Sequence, residues 1–519
     1  MSEIEVSVPN PEAMAWYELN DLGNARRVID LAGGKLLWVE DHWSGFDGTR
    51  WSAEDGARLA QRMAHDMARH IPIEAEALDG AIERAKGSGK AGAGMPVEVI
   101  EERQTALYKH AVMSGNANKT TAALAQAKSD IAAGRGDFDA DALLINLPSG
   151  TLRFVRREGD WRVEQRPHDP VDRLSRIATA AWNPSAMCPE WEKHIATVLP
   201  DPAVRRFFQA CMGYALTGEI SEQCVLLLQG RGGDGKSTTM DVIREVMGGY
   251  AKVAAVESFL HGNMRSGAEA SPDMARLAGD TRLVCTSEPR IGAMLDEGRI
   301  KQVTGGQPVN ARELHAAPFE YVPRWMLVLE CNRKPRISGD DDGIWRRVIV
   351  IQFPHQFKGE AADKSIVKRL LAEGEGVLRW LIEGTLIWLN EGLAQPDPVK
   401  EAIDDYRKAS NPFGEWFTTF VDVRDPQARC RSADLFASYK AFCEENAVSD
   451  RETMSSTAFG RALGDKQLMK AQDSQGKIIR KGARLRDRSE LNLPEPEGVA
   501  GMDDAAPRGS DPAADWFDR

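Results

Sequence analysis

Cys224-Val225-Leu226-Leu227-Leu228-Gln229-Gly230-Arg231-Gly232-Gly233-Asp234-Gly235-Lys236-Ser237-Thr238 decides the fold of this chain. The apolar run Cys224 to Leu228 predicts a buried strand. The glycine-rich turn follows, and a helix-like stretch then runs to Gly248-Gly249. Strand, loop and helix in that order are the setting in which G-x-x-x-x-G-K-[ST] binds phosphate. Glycines let backbone N–H groups turn inward, where side chains would block approach. Lys236 is placed to reach β- and γ-phosphates and Ser237 to ligate Mg²⁺, and the helix N-terminus adds positive potential. The candidate nucleotide-binding set is therefore Gly230, Gly232, Gly233, Asp234, Gly235, Lys236, Ser237 and Thr238, with ATP and Mg²⁺ as expected cofactors.

Gly87-Ser88-Gly89-Lys90 is an internal control. Arg84 stands where the first glycine should be, Ala91 replaces the hydroxyl, and no apolar strand precedes it. That stretch reads as a flexible linker.

A chain of 519 residues holds about three or four domains. It contains no run of about 18 apolar residues, so no membrane span is expected. The acidic start, Met1-Ser2-Glu3-Ile4-Glu5, does not read as a signal peptide. The seven cysteines have no paired CxxC spacing, which suits reduced thiols in a cytoplasm. The net charge of −12 argues against a nucleic-acid partner until its distribution is read. Residues 489–519 hold eight acids against two arginines, whereas residues 466–488 hold eight basic side chains against two acids. A phosphate backbone responds to the local patch, because screening sets in over a Debye length of about 8 Å.

Before the loop, Trp38, Trp43 and Trp51 suggest a small aromatic hairpin. Ser52-Ala53-Glu54-Asp55 opens a helix expected to run to about His70. Residues 97–135 look helical. Leu143 to Leu147 and Leu152 to Val155 form a predicted hairpin, and helices are expected around 190–215. From 222 to 355, apolar strands alternate with helices or loops, the pattern of a parallel α/β sheet. Residues 363–393 are helical, and Asn411-Pro412 marks a boundary. Residues 413–488 give three helices and two strands, the order of a winged helix. The end from 489 reads as disordered.

Hydrolysis needs more than phosphate binding: an acid near metal and water, a polar sensor and a compensating cation. Arg282 to Glu288 is an apolar strand ending in an acid, the Walker B position. Trp325 to Asn332 is a second strand ending in an amide, the sensor position. Arg346 and Arg347 precede a third strand, Val348 to Phe353. Arg347 is the preferred finger, because alternation turns Arg346 to the opposite side. The catalytic set is Lys236, Glu288, Asn332, Arg347 and Arg346, with Ser237 and Glu288 as metal candidates.

The spacing of these motifs resembles a superfamily 3 helicase of the AAA+ class, in its phage/plasmid and poxvirus-type primase–helicase branch. Similar stretches are Asp21 to Ala25, Asn146 to Gly150, His168-Asp169-Pro170, Cys188 to Glu192, Met212 to Gly218 and Lys301 to Gly306, so the likeness runs from about 20 to about 486. The resemblance implies a ring, usually a hexamer, with ATP between subunits and Arg347 reaching a neighbour's γ-phosphate. It also implies a channel hairpin between Glu288 and Asn332. Arg312 and His315 fall there as contacts to single-stranded DNA, with Lys301 beside them. Two departures stand out. Many such proteins carry two adjacent acids at Walker B, whereas Ser287 precedes Glu288 here. Asp137-Phe138-Asp139 spells a metal-binding pair, but about 135 upstream residues are too few for a polymerase-type domain, so primase activity is not expected.

Lys477, Arg480, Lys481 and Arg484 alternate with apolar residues as a wing strand should, and Ser455 to Leu463 would be the recognition-type helix. The acidic tail reads as a solubilising end or a docking peptide for a replication partner. The expected architecture is α/β. Residues 1–135 form an α+β accessory domain, 136–218 a hairpin and helical collar, and 219–408 the phosphate-loop AAA+ motor. Residues 409–488 form a winged helix and 489–519 a disordered tail. The expected function is an ATP-dependent, ring-forming DNA helicase acting on single-stranded or forked DNA. The alternative is an ATP-regulated origin-binding or loader protein without processive unwinding.

Overall fold

The computed structural model describes residues 10–87, 95–262, 272–290, 292–312, 317–337, 342–357, 363, 365–446, 448, 453–486 and 490. The contacts divide the chain into two compact units. One is Met1–Pro335 with Arg346–Val399; the other is Arg336–Trp345 with Lys400–Arg519. The first three stretches expected separately thus share one unit up to residue 399. All of the acidic tail except Glu490 lies outside the described residues, as does its expected partner contact. No described helix is long and apolar enough to cross a membrane.

The centre of the first unit is a five-stranded sheet of β1 (Val225–Gln229), β2 (Ala251–Ala254), β3 (Leu283–Thr286), β4 (Met326–Cys331) and β5 (Val348–Gln352). Its order is β5-β1-β4-β3-β2, and every pairing is parallel. Parallel strands are covered on both faces, and these read accordingly as near-continuous apolar runs. Leu226, Leu227, Val284, Leu327, Val328 and Val350 are all fully buried. One helix, α1 (Lys236–Met247), follows β1.

Upstream, strands Leu144–Leu147, Gly150–Arg157 and Asp160–Arg166 form an antiparallel sheet, one strand more than the predicted hairpin. Arg282, just before β3, joins this sheet to the central one. Its guanidinium pairs with buried Asp280 at 2.7 Å and donates to Leu144 O at 2.7 Å and Leu216 O at 3.0 Å. It also lies over the Tyr250 ring. Asp139 borders this cluster. Burial, then the Asp280 charge, pushes its carboxyl up to about 6, and Ser175 donates to it from both N and Oγ. Asp137 pairs with Arg173 at 3.3 Å. The two acids of the Asp-x-Asp spelling therefore engage different structural partners.

Helices Pro189–Val198 and Pro202–Leu216 precede β1, and Gly374–Glu391 crosses the second of them. The crossing is backbone against backbone. A Cβ on Gly213 would stand 2.0 Å from Thr385 N, and one on Gly384 would stand 2.1 Å from Gln209 O. Thr385 Oγ1 secures the contact by donating to Gly213 O at 2.8 Å.

The N-terminal part contains the expected hairpin, Leu36–Val39 with His42–Phe46, and pairs Trp38 with Trp43 edge to face. Helix Ala53–Gly87 runs well past His70, with Pro72 inside it. Its buried stripe of Ala60, Ala64, Met67, Ile71, Ala75, Leu78 and Ile82 keeps helical period through the proline, so core packing outweighs one lost hydrogen bond. Helices Val97–Ser114 and Ala117–Asp130 complete this part.

In the second unit, helices Pro412–Phe420, Ser432–Glu445 and Ser456–Asp465 pack around Trp416, Tyr439, Phe459 and Leu463. Strands Arg429–Arg431, Ile478–Lys481 and Met469–Gln472 form a sheet with Ile478–Lys481 in the middle. Phe459 and Leu463 point inward and Arg461 is exposed, as the sequence pattern predicts.

Gly213→Ala should drive the two crossing helices apart and destabilise the first unit by about 1–3 kcal/mol, the usual cost of overpacking. Thermal denaturation of the full chain measures it, and an unchanged melting point would contradict the contact.

Candidate functional site

The loop between β1 and α1 takes its shape from four glycines, for two reasons. Gly232, Gly233 and Gly235 have φ of 82°, 63° and 88°, the left-handed region that side chains avoid. Gly230 is needed for space, since a Cβ there would lie 1.8 Å from Asp234 Oδ2. Helix Pro189–Val198 stands against the outside of the loop. A Cβ on Gly235 would meet Val198 Cγ1 at 2.5 Å. His194 Nε2 lies 2.9 Å from Thr239 Oγ1, whose single proton goes to Gly235 O at 2.8 Å. The imidazole is therefore the donor in that pair. Burial pushes its pKa down to about 4, so it is neutral near pH 7.

The parallel register brings the ends of β1, β3 and β4 to one edge, where crevices outside carboxyl strand ends bind ligands. Gly230 N donates to Cys331 O at 3.1 Å, joining the loop to the end of β4. Lys236 is buried, forms an ion pair with Asp234 and donates to Asn332 Oδ1 at 3.3 Å. Asn332 Nδ2 donates to Glu288 Oε2 at 2.7 Å, and its backbone N donates to Glu288 Oε1 at 3.2 Å. Lys236, Asn332 and Glu288, predicted separately on three segments, thus form one hydrogen-bonded chain. Ser237 Oγ donates to Glu330 Oε2 at 2.7 Å. A cleft of about 370 Å³ opens among these groups, with Arg244, Cys285 and Ser287 also on its wall. Thr238, included among the binding residues on sequence, does not line it.

Glu330 is the functional candidate that sequence reading missed. The terminal amide dominates the reading of this strand, although an acid in the fifth of six positions of an otherwise apolar strand is a signal in itself. Burial holds its carboxyl above the ordinary carboxylate range, and Asp241 adds to the effect.

The two arginines are placed the other way round from the expectation that Arg347 is the one free to reach out. Arg347 is buried, with Nε donating to Thr304 Oγ1 at 3.1 Å and a terminal nitrogen donating to Gln223 Oε1 at 2.9 Å. Arg346 is exposed. Val348 pairs with Val225, so both arginines lie at the end of the sheet opposite the loop. Five residues at ~3.3 Å each put roughly 16 Å between them and their own phosphate loop.

Between β3 and β4, strands Val309–Ala311 and Phe319–Tyr321 pair antiparallel, giving the expected hairpin. Arg312, half-buried, begins its tip; His315 lies outside the described residues. Lys301 is half-buried on helix Glu297–Thr304.

In the second unit, Arg480 does not face solvent as expected. It is buried and donates to Leu468 O at 2.9 Å and Gly460 O at 2.7 Å. Arg484 pairs with Asp422 at 3.0 Å and Glu490 at 2.9 Å. Lys477 and Lys481 are exposed, and Lys481 sits directly across from exposed Arg429.

Fold and site together define an α/β protein with a parallel central sheet and a glycine loop at its carboxyl edge. The family described as D5 N terminal like matches residues 25–200. A protein of Acanthamoeba polyphaga mimivirus, named a candidate helicase, is 27% identical over 267 residues; the match covers 48% of this chain and 28% of the viral protein. A frog virus 3 protein of the same description is 27% identical over 269 residues, covering 49% of this chain and 27% of that one. The match thus spans little more than a quarter of each relative. The chain is thus similar to the D5-type primase–helicase family over residues 25–200, and to these viral proteins over about half its length. The apo C-terminal region of NrS-1 is similar at 13% identity, covering 64% of this chain and 82% of that one, with a TM-score of 0.38.

Arg480→Met should strand two buried carbonyls and lower stability by about 1–3 kcal/mol, whereas Lys481→Ala should leave it within about 0.5 kcal/mol. Chemical denaturation of the two variants distinguishes a structural arginine from a surface lysine.

Proposed function

We propose that the first unit binds and hydrolyses ATP with Mg²⁺, and that the protein is a ring-forming DNA helicase acting on single-stranded or forked DNA. The observation that carries this reading is the chain Lys236–Asn332–Glu288 beside the glycine loop. It sets a phosphate-directed cation, a polar sensor and a base for water within one hydrogen-bonded group. Lys236 would offset negative charge on the β- and γ-phosphates. Glu288, oriented by Asn332, would accept a proton from the attacking water. Among the described residues no group of three or more His, Cys, Asp or Glu is arranged to hold a metal alone. The hard oxygen donors that line the cleft beside Ser237 suit Mg²⁺, which keeps much of its shell as water and phosphate oxygens. When bound, that ion supplies charge neutralisation at the phosphates.

Arg346, exposed and too far from its own loop, is the better candidate for a finger that serves a neighbouring subunit, the hexameric ring being the arrangement we favour. Lys301 and Arg312 near the hairpin, with Lys477 and Lys481 on the second unit's winged-helix-like sheet, would contact DNA phosphates. The names of the viral relatives point the same way. We place the activity in replication of a phage, plasmid or viral element, in the cytoplasm of a bacterial host cell.

A strand-displacement assay on forked DNA tests the function. ATP-dependent displacement that is lost in Lys236→Ala is the expected result. ATPase activity without displacement would replace the helicase by a loader or origin-binding protein.

Mixing tests the finger. Arg346→Ala should lower turnover in the assembled protein by roughly 10³-fold or more. Adding Lys236→Ala subunits should restore part of it, because the two lesions can fall at different interfaces. An absence of restoration would argue against a shared site.

A further inference from the structure

Ser287 occupies the position before Glu288 where many motors of this kind carry a second acid, yet the cleft does contain a second acid. It comes from a different strand. Glu330 is the one charged residue of β4, following buried Met326, Leu327, Val328 and Leu329. Its Oε2 accepts the Ser237 hydroxyl at 2.7 Å, and Ser237 is the loop hydroxyl that phosphate-loop proteins present to a divalent cation. Glu330, Ser237 and Glu288 all line one cleft. Glu288 is turned toward Asn332, whereas Glu330 is turned toward Ser237, so the two carboxylates are assigned to different partners.

We infer that Glu330 supplies the carboxylate that holds Mg²⁺ next to Ser237, directly or through one water, in place of the acid absent before Glu288. The inference rests on the ATP reading of the cleft. It divides the labour: Glu330 serves the cation and Glu288 serves water. The donor set is a hydroxyl, a carboxylate and phosphate oxygens, all hard oxygen ligands, with the remaining positions left to water.

The test is the affinity of the full-length chain for a fluorescent non-hydrolysable ATP analogue, measured with and without Mg²⁺. Wild-type affinity should rise when Mg²⁺ is added. In Glu330→Gln that enhancement should fall by about ten- to a hundredfold, while metal-free affinity stays equal or tightens because one negative charge is gone. Glu330→Asp, which keeps the charge but withdraws the oxygens by one methylene, should lose part of the enhancement. It is the readout to use if the glutamine variant melts early. A wild-type enhancement in both variants would overturn the inference. Wild-type protein that binds no analogue under either condition would instead remove the ATP reading, and this inference with it.

Discussion

β1 lies between β5 and β4 with Val225 opposite both Val348 and Leu327, and the rest of the site depends on that register. It fixes where β4 ends relative to the glycine loop, so Cys331 O meets Gly230 N and Asn332 arrives beside Lys236. A slip of one residue would turn Glu330 and Asn332 to the other face of the sheet. Buried apolar side chains on both faces prevent the slip. The chemistry at the sheet edge is therefore set by packing in its middle.

The parts of this arrangement that sequence made legible are those written locally. A glycine loop between an apolar run and a helix can be recognised without its neighbours, and an acid or amide at a strand end can be ranked by order along the chain. What sequence could not show is which side chains meet across strands. Glu330 and Ser237 are 93 positions apart, and nothing in either segment announces the other. Arg346 and Arg347 were separated by strand alternation alone, which ignored that Thr304 and Gln223 wait inside for one of them. Helix Ala53–Gly87 runs past the expected end near His70 because its core stripe continues through Pro72 to Ile82.

The second unit shows how a charge pattern can mislead. Basic residues alternating along Lys477 to Arg486 suggested one charged face, yet burial sorts them. Arg480 serves as an internal fork for two carbonyls, Arg484 is tied to Asp422, and the lysines stay in water. An arginine's planar fork suits fixed carbonyl geometry, and a lysine's mobile ammonium suits a surface charge. Composition alone cannot tell these uses apart.

The wall behind the phosphate loop belongs to a different part of the chain from the loop itself. Val198 and His194 sit within residues 25–200, the stretch that matches the family's N-terminal description, and they fill the space a Cβ on Gly235 would need. A recombination joint near residue 200 would therefore split the glycine loop from its housing. Grafting a foreign N-terminal part onto this sheet and loop would need a matching helix, imidazole and valine included. The two segments can be named separately, but they pack as one piece.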